Sequence, residues 1–283
     1  MELQWFPGHM AKTRKMIAEN LKLVDVVIEL LDARLPLSSR NPEIDNIVGK
    51  KPRIIVLNKS DIADREANEK WLDWFSQKGL VAFLADSRTG YGFSALYPAI
   101  DKVLAEKFEH DAKRGIKKNS VRMMIVGIPN VGKSSFINRL SARNAVKVGD
   151  RPGVTTCKQW IRISGKYELL DTPGILWPKF ETVECARRIA FTGGIKDEII
   201  DVEELAFYLV DFLKSDYKEN LIERYKLSED DVLNEAWDLV EIIGRKRGAI
   251  LSGGEIDTHR TSMLILDDFR SAKLGKISLE LPK

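Results

Sequence analysis

The segment GIPNVGKS, residues 127–134, has the spacing of glycine, lysine and hydroxyl groups that is typical of a phosphate-binding loop. It follows the apolar segment RMMIV and precedes a helical pattern, which places Gly132, Lys133 and Ser134 where a strand turns into a helix. Backbone amides at a helix N-terminus attract an anion, the lysine adds positive charge, and the serine hydroxyl is a ligand for Mg²⁺. We therefore expect the β- and γ-phosphates of a nucleotide to bind here.

A second polar motif, Asn58-Lys59-Ser60-Asp61, follows the apolar segment RIIVL. The carboxylate of Asp61 can accept two hydrogen bonds from guanine, one from N1–H and one from the exocyclic amine. Adenine offers no such pair of donors, and a site built on paired hydrogen bonds discriminates strongly against a base that lacks them. The motif therefore predicts a guanine-binding site.

The segment ADSRTGYG comes after the next predicted strand, LVAFL. It is similar to a Ser-Ala-Lys loop that closes over guanine, but the matching residues here are Asp86, Ser87 and Arg88. Because of this difference we expect a backbone contact to the base at Asp86 and Ser87, and a plain turn is the alternative.

Two further motifs are expected to meet the phosphates and their metal ion. Asp171 ends the apolar segment YELL and begins DTPG, where its carboxylate can hold a water molecule of Mg²⁺ and the amide of Gly174 can meet a γ-phosphate. Asp150 begins the same spacing within a loop, where a turn is favoured. The loop PGVTT supplies Thr155 as a ligand of Mg²⁺, with Thr156 as the alternative.

The base motif comes before the phosphate loop, whereas in GTP-binding proteins it normally follows. A nucleotide site does not depend on the order of its strands along the chain. Both motifs lie at the carboxyl ends of predicted parallel strands, so only the positions of those strands in the sheet matter. The segment 93–119 would then join the original ends, and the chain would be opened between DTPG and LVDVVIELLDAR. This predicts a circularly permuted domain whose N-terminal segment WFPGHM lies near the γ-phosphate.

Apolar runs alternate with amphipathic segments up to about residue 175, which predicts an α/β fold with a largely parallel sheet and one hairpin at the turn SGK. From residue 179 onward the patterns are helical. We expect one domain over residues 1–177 and an all-helical domain over residues 178–283. The predicted strands are 24–31, 53–57, 80–84, 122–126, 160–163 and 167–170, and the helices are 10–22, 65–78, 93–110, 133–142, 181–191, 202–214, one after Ser228, and 257–273.

Composition narrows the class of protein. The chain has 283 residues, 44% of them hydrophobic and 31% charged, with a net charge of +3. No window has the length and apolarity of a membrane span and the start lacks a signal-peptide pattern, so we expect a cytoplasmic protein that does not bind membranes. Cys157 and Cys185 lack zinc-ligand spacing, and free thiols are expected.

Nearly the whole chain resembles the circularly permuted GTPases of ribosome assembly, specifically the ribosome biogenesis GTPase A group. The resemblance is carried by WFPGHMAKT, DARLPLSSRNP, the motif order NKSD, DSRTG, GIPNVGKS, PGVTT and DTPG, and GGEIDTHRTSMLILDDFRSAKLGKISLE. It implies a circularly permuted P-loop GTPase domain followed by a helical domain that helps bind ribosomal RNA. It also implies Mg²⁺-dependent GTP hydrolysis in a late step of 50S subunit assembly, with the large subunit's RNA and proteins as partners and a monomeric chain.

The resemblance also assigns site residues. Where many GTPases place a water-orienting glutamine after the Asp-x-x-Gly motif, this chain has Ile175. His9 is the residue that the resemblance and the permutation both indicate for orienting the attacking water, with a structural or exposed histidine as the alternative. Asn130 is expected either to help bind K⁺ or to make a loop hydrogen bond. The implied GTP contacts are Asn58, Lys59, Ser60, Asp61, Asp86, Ser87, Asn130, Val131, Gly132, Lys133, Ser134, Ser135 and Gly174.

Other classes of protein fit the sequence less well. A GTP-gated RNA-binding protein, in which hydrolysis is incidental, remains the alternative to a GTPase that acts as an assembly checkpoint. A P-loop kinase leaves the Asn-Lys-Ser-Asp motif unexplained. A membrane-remodelling GTPase would need an anchor or a strongly basic amphipathic helix, and the sequence offers neither pattern.

Overall fold

A computed structural model describes residues 17–116, 120–144, 160–170 and 182–282, without the side chains of 142–144. These residues form two compact units, each described by itself below. The sheet unit comprises the described residues up to 170 together with 278–282, and the helical unit comprises residues 182–277. Within the described ranges no helix combines the length and the apolar character needed to cross a bilayer.

The sheet unit is built on one six-stranded sheet with the strand order β3-β2-β1-β4-β6-β5. The first five strands of that order run parallel, and β5 and β6 form the antiparallel hairpin predicted at SGK. All seven residues of the central strand β1 are buried, as expected for a parallel strand that is covered on both faces. The strands are β1 Val26–Asp32, β2 Arg53–Asn58, β3 Val81–Leu84, β4 Val121–Val126, β5 Trp160–Ser164 and β6 Tyr167–Leu170.

Helices cover the sheet where the sequence is amphipathic. Residues 17–21 are helical, and Ile17 packs with Val27 and Met124 in one apolar cluster. Further along the same face of the sheet, Trp71 and Phe75 pack with Ile55 and Leu57 in a second apolar cluster and are fully buried. The helices of this unit are α1 Ile44–Val48, α2 Arg65–Gln77, α3 Leu96–Lys113 and α4 Lys133–Asn144, and a 3₁₀ turn at Phe93–Ala95 leads into α3.

Three helices of the helical unit begin with a side-chain cap. Thr182, Asp201 and Asp257 accept hydrogen bonds from backbone amides in the first turns of the helices that follow them. A partly buried ion pair joins Arg224 to Asp268, with nitrogen–oxygen distances of 2.8 and 2.9 Å. The helices are α5 Val183–Phe191, α6 Val202–Asp216, α7 Lys218–Tyr225, α8 Ala236–Arg247 and α9 Thr258–Arg270.

The helix predicted after the cap-like Ser228 starts later than that serine indicates, at Ala236. Ser228 and Asp231 do exchange hydrogen bonds across a turn, at 3.0 and 2.8 Å, but only a 3₁₀ turn over Asp231–Leu233 follows. The side-chain amide of Asn234 donates to the carbonyls of Asp230 and Asp231, which occupies the acceptors that a continuing helix needs. The short helix α1 and the helix α7 were not predicted.

The C-terminal segment corrects the predicted extent of the helical domain. Residues 278–282 pack with the sheet unit, because Leu279 is buried there and its amide donates to the carbonyl of Arg34 at 2.7 Å. The boundary predicted at residue 177 lies among residues 171–181, outside the described part of the chain, and stays a prediction.

Candidate functional site

The base motif and the phosphate loop lie at the same edge of the sheet. Strand β1 lies between β2 and β4 and is parallel to both, and β1, β2 and β4 end at Asp32, Asn58 and Val126. Asp32 and Asn58 occupy paired positions in the sheet. Carboxyl ends of parallel strands face one crevice, so the loops that follow these three strands converge.

Asn58 connects the three loops of the site through its side chain. Its amide nitrogen donates to the carbonyl of Val131 in the phosphate loop at 2.7 Å. Its amide oxygen accepts from the backbone amide of Ser87 at 3.1 Å and from the Ser87 hydroxyl at 2.7 Å. Asn58 is buried, so every one of these bonds is shielded from water. One side chain therefore joins the predicted base motif, the phosphate loop and the segment ADSRTGYG, residues 85–92, which we call the covering loop.

Lys59 is held by a buried carboxylate. Its backbone has φ of 61°, a conformation that is uncommon for a residue with a side chain. Its ammonium lies 2.9 Å from Oδ2 of Asp32, whose other partner is the guanidinium of Arg34. Burial alone would raise the pKa of Asp32, but the charges of Arg34 and Lys59 outweigh burial and hold it well below its usual range. Asp32 therefore stays ionised and orients the lysine.

Ser60 anchors the base motif to strand β3, and Asp61 presents its carboxylate at the surface. The amide and the hydroxyl of Ser60 both donate to the carbonyl of Ala85, at 3.1 and 3.0 Å. Asp61 is 25% exposed, and its carboxylate pairs with the guanidinium of Arg88, which is 74% exposed. Such an exposed pair is weak, so a ligand can displace the arginine at little cost.

Asp86 organises the covering loop with its side chain. Its carboxylate accepts from the Arg88 amide at 2.8 Å and from the Thr89 hydroxyl at 2.6 Å. Burial opposes the charged form, but these hydrogen bonds lower the pKa of Asp86. The carbonyl of Ser87 in the same loop accepts from Nε of Arg139 on α4 at 3.3 Å. These hydrogen bonds hold the turn at which Asp86 and Ser87 are predicted to contact the base through their backbone.

The phosphate loop wraps around the side chain of Lys133. The ammonium donates to the carbonyls of Gly127 and Ile128, at 2.9 and 2.6 Å. Gly132 has φ of 94°, and a Cβ on it would lie 2.4 Å from the amide nitrogen of Asn58, so only glycine fits between the two loops. The loop leads into the N-terminus of α4, a position where backbone amides attract an anion.

Several predicted phosphate and metal contacts lie beside this loop. Ser134 and Ser135 are exposed on the first turn of α4, and Val131 is buried beneath the loop. Asn130 is exposed with φ of 61°. His9, Thr155, Thr156, Asp171 and Gly174 lie outside the described residues, as does Asp150.

Sequence reasoning missed three side chains that support the site. Asp32 and Arg34 were noticed only as part of DARLPLSSRNP, and Arg139 was not singled out. A signal for Asp32 was present, because a carboxylate at the end of the strand beside Asn58 must lie at the same edge of the sheet. The contact between Arg139 and Ser87 depends on how α4 packs, and no local pattern predicts it.

Comparison with known proteins gives concordant matches. The family profile described as a 50S ribosome-binding GTPase matches residues 122–240. The chain is 49% identical to ribosome biogenesis GTPase A of Bacillus cereus, over 100% of this chain and 95% of that protein. It is 31% identical to ribosome biogenesis GTPase A of Thermotoga maritima, over 99% of this chain and 95% of that one. The solved structure of GNP-bound YlqF from T. maritima has a TM-score of 0.67 at 27% identity, covering 96% of this chain and 99% of that chain.

Proposed function

Since the chain belongs to the ribosome biogenesis GTPase A family and is a GTP hydrolase, we propose that it binds a precursor of the large (50S) ribosomal subunit and hydrolyses GTP in a late step of its assembly. The observation that carries this proposal is the joining of the base motif, covering loop and phosphate loop by Asn58. The similarity over the full length to relatives named for ribosome biogenesis supports the subunit as partner.

Guanine would be recognised by Asp61, whose carboxylate would exchange Arg88 for the N1–H and amine donors of the base. Lys59 would lie against the base with its ammonium held by Asp32. The phosphates would meet the amides of the loop and of α4, together with the ammonium of Lys133. The proposed nucleotide contacts are Asn58, Lys59, Ser60, Asp61, Asp86, Ser87, Asn130, Val131, Gly132, Lys133, Ser134, Ser135 and Gly174.

Mg²⁺ would be held by the hydroxyl of Ser134 with Thr155 and, through water, Asp171. The donor set consists of hydroxyl and carboxylate oxygens, which suits this hard cation, and Ser134 is exposed at the start of α4 where a phosphate-bound ion would lie. When bound, the ion neutralises charge on the β- and γ-phosphates. Asn130 is proposed to help bind an activating K⁺.

Hydrolysis requires a group that orients the attacking water, and Ile175 has no hydrogen-bonding side chain for this task. We assign the role to His9, whose imidazole would hold the water in line with the γ-phosphate. His9 belongs to the N-terminal segment that we propose lies near the γ-phosphate in the permuted domain. If the ribosomal particle orders that segment, hydrolysis would be faster on the subunit than in the free protein.

The helical unit is proposed to contact ribosomal RNA. Basic side chains cluster at the end of α8, where Arg245, Lys246 and Arg247 follow one another. Phosphate contacts of this kind supply affinity that falls with salt concentration. We place the protein in the cytoplasm, acting as a monomer.

Co-sedimentation with purified ribosomal subunits tests the proposal, using GDP or a non-hydrolysable GTP analogue, with GTP turnover measured with and without subunits. We expect preferential binding to the large subunit in the analogue-bound state and faster turnover in its presence. Equal binding to both subunits together with no stimulation would overturn it.

A GTP-gated RNA-binding protein in which hydrolysis is incidental is the second candidate, favoured by the same guanine site. The two functions differ in what a turnover-deficient variant does. If large-subunit assembly proceeds normally in cells carrying His9→Ala, with turnover lost, the second candidate is correct.

A further inference from the structure

The C-terminal segment 278–282 is bound to the sheet unit by specific polar contacts. The hydroxyl of Ser278 accepts from the amide of Asp64, which is the cap of helix α2, at 3.1 Å. The indole nitrogen of Trp71, on the same helix, donates to the carbonyl of Glu280 at 3.2 Å. Leu279 is 3% exposed and donates its amide to the carbonyl of Arg34 at 2.7 Å. The segment therefore bridges α2 and the loop that follows β1.

Glu280 organises that loop with its side chain. Its Oε1 accepts from the backbone amides of Leu37 and Ser38, the second at 3.0 Å. Its Oε2 accepts from the hydroxyl of Ser38 at 2.7 Å. Hydrogen bonds to a carboxylate are roughly twice as strong as those between neutral groups, so Glu280 restrains a loop that belongs to no helix or strand.

The restrained loop supports the guanine motif through a chain of buried contacts. Arg34, whose carbonyl is bound by Leu279, is 2% exposed and donates two side-chain hydrogen bonds to Asp32, at 3.0 and 2.8 Å. Asp32 in turn lies 2.9 Å from the ammonium of Lys59. Lys59 has the uncommon φ of 61°, a conformation that persists only where surrounding contacts enforce it.

We propose that residues 278–282 are a positioning element of the nucleotide site, which holds Arg34 and Asp32 so that Lys59 is placed for guanine. The proposal rests on the proposed function, because that function assigns Lys59 to the base. The segment follows directly on Ile277, the last residue of the helical unit along the chain.

The rate at which a fluorescent GDP, labelled on the ribose, dissociates from the full chain tests this proposal. Labelled GDP is expected to dissociate from Glu280→Ala about fivefold faster than from wild type. This factor corresponds to the loss of one net hydrogen bond. The GDP dissociation rate of Glu280→Gln should lie between those of wild type and Glu280→Ala, because the glutamine amide oxygen still accepts from the loop amides. Glu69→Gln, which changes an exposed glutamate on α2, is the matched control and should leave the rate unchanged.

Competition by inorganic pyrophosphate separates positioning from general damage, because pyrophosphate probes only the phosphate half of the site. For Glu280→Ala its affinity should stay within about twofold of wild type, well below the change expected for GDP. Equal losses for GDP and pyrophosphate would overturn the proposal, as would a lower melting temperature with unchanged GDP dissociation. Failure of the wild type to bind GDP at all would overturn the proposed function itself.

Discussion

At the scale of single residues, the site depends on side chains that hold other side chains. The side-chain amide of Asn58 makes all of its described hydrogen bonds with Val131 and Ser87. The carboxylate of Asp32 likewise contacts the side chains of Lys59 and Arg34. We propose that the carboxylate of Asp61 and the amides and ammonium of the phosphate loop contact the nucleotide.

The ionised state of Asp32 makes a contribution to stability that depends on pH. Its pKa is lower in the folded protein than in the unfolded chain, where it is about 3.9, so this contribution is complete above about pH 5 and is lost as the pH falls. Urea unfolding should show Asp32→Asn to be less stable than wild type by about 3 kcal/mol at pH 7. Below about pH 4 the difference should shrink by about 1.4 kcal/mol per pH unit. A difference that is constant from pH 7 to pH 3 would contradict the assignment.

The sequence predicted the motifs of the candidate site better than the side chains that position them. Asn58, Asp61 and Lys133 belong to motifs whose chemistry can be recognised from residue type and spacing. Arg34 and Arg139 have no such spacing, because their partners are brought close only by the packing of the sheet and of α4. The polar contacts of Glu280 join positions more than two hundred residues apart and lie beyond any local pattern.

At the scale of elements, strand ends and the turns beyond them determine where the site lies. The predicted strands agree with the structure to within two residues, since each is an apolar run bounded by polar or glycine residues. The helix predicted after Ser228 begins only at Ala236, because the local capping pattern at Ser228 precedes a 3₁₀ turn. Short turns such as the one before Phe93 depend on backbone space, which sequence patterns do not record.

Gly92 gives an element-scale prediction. It has φ of 78°, and a Cβ on it would lie 1.8 Å from the carbonyl oxygen of Leu84 at the end of β3. Gly92→Ala should therefore lower the free energy of unfolding by about 2–4 kcal/mol, because the backbone itself must shift. Gly165→Ala, in the open turn of the hairpin, is the control and should change it by less than about 0.5 kcal/mol. Similar values for the two variants in urea unfolding would contradict the close approach of β3 and this turn.

At the scale of the whole molecule, the predicted fold class is confirmed: a circularly permuted P-loop GTPase domain with a mostly parallel sheet and helical regions. The site tolerates the permutation because its loops follow neighbouring strands, whatever their order along the chain. The motif order alone predicted this arrangement. The return of residues 278–282 to the sheet unit could not be predicted, because the segment is too short to carry a periodic pattern.

His9 gives a prediction that concerns the whole assembly. His9→Ala should lower GTP turnover on the large subunit by about a hundredfold, because the attacking water loses its orienting group, and should leave GDP affinity within about twofold. Turnover and GDP binding are to be measured on the same preparations. His110→Ala, which changes an exposed histidine on α3, is the matched control. Unchanged turnover for His9→Ala would remove His9 from the mechanism.

The central claim is that Asp61 recognises guanine in a site built from the reordered motifs, and titration of Asp61→Asn with GDP and XDP tests it most directly. An asparagine amide would oppose the guanine amine but donate to the carbonyl that xanthine carries at that position. GDP affinity should fall by at least about a hundredfold while XDP affinity rises, and the surface control Asp73→Asn should behave as wild type. Unchanged GDP affinity in Asp61→Asn, with no gain for XDP, would contradict the claim.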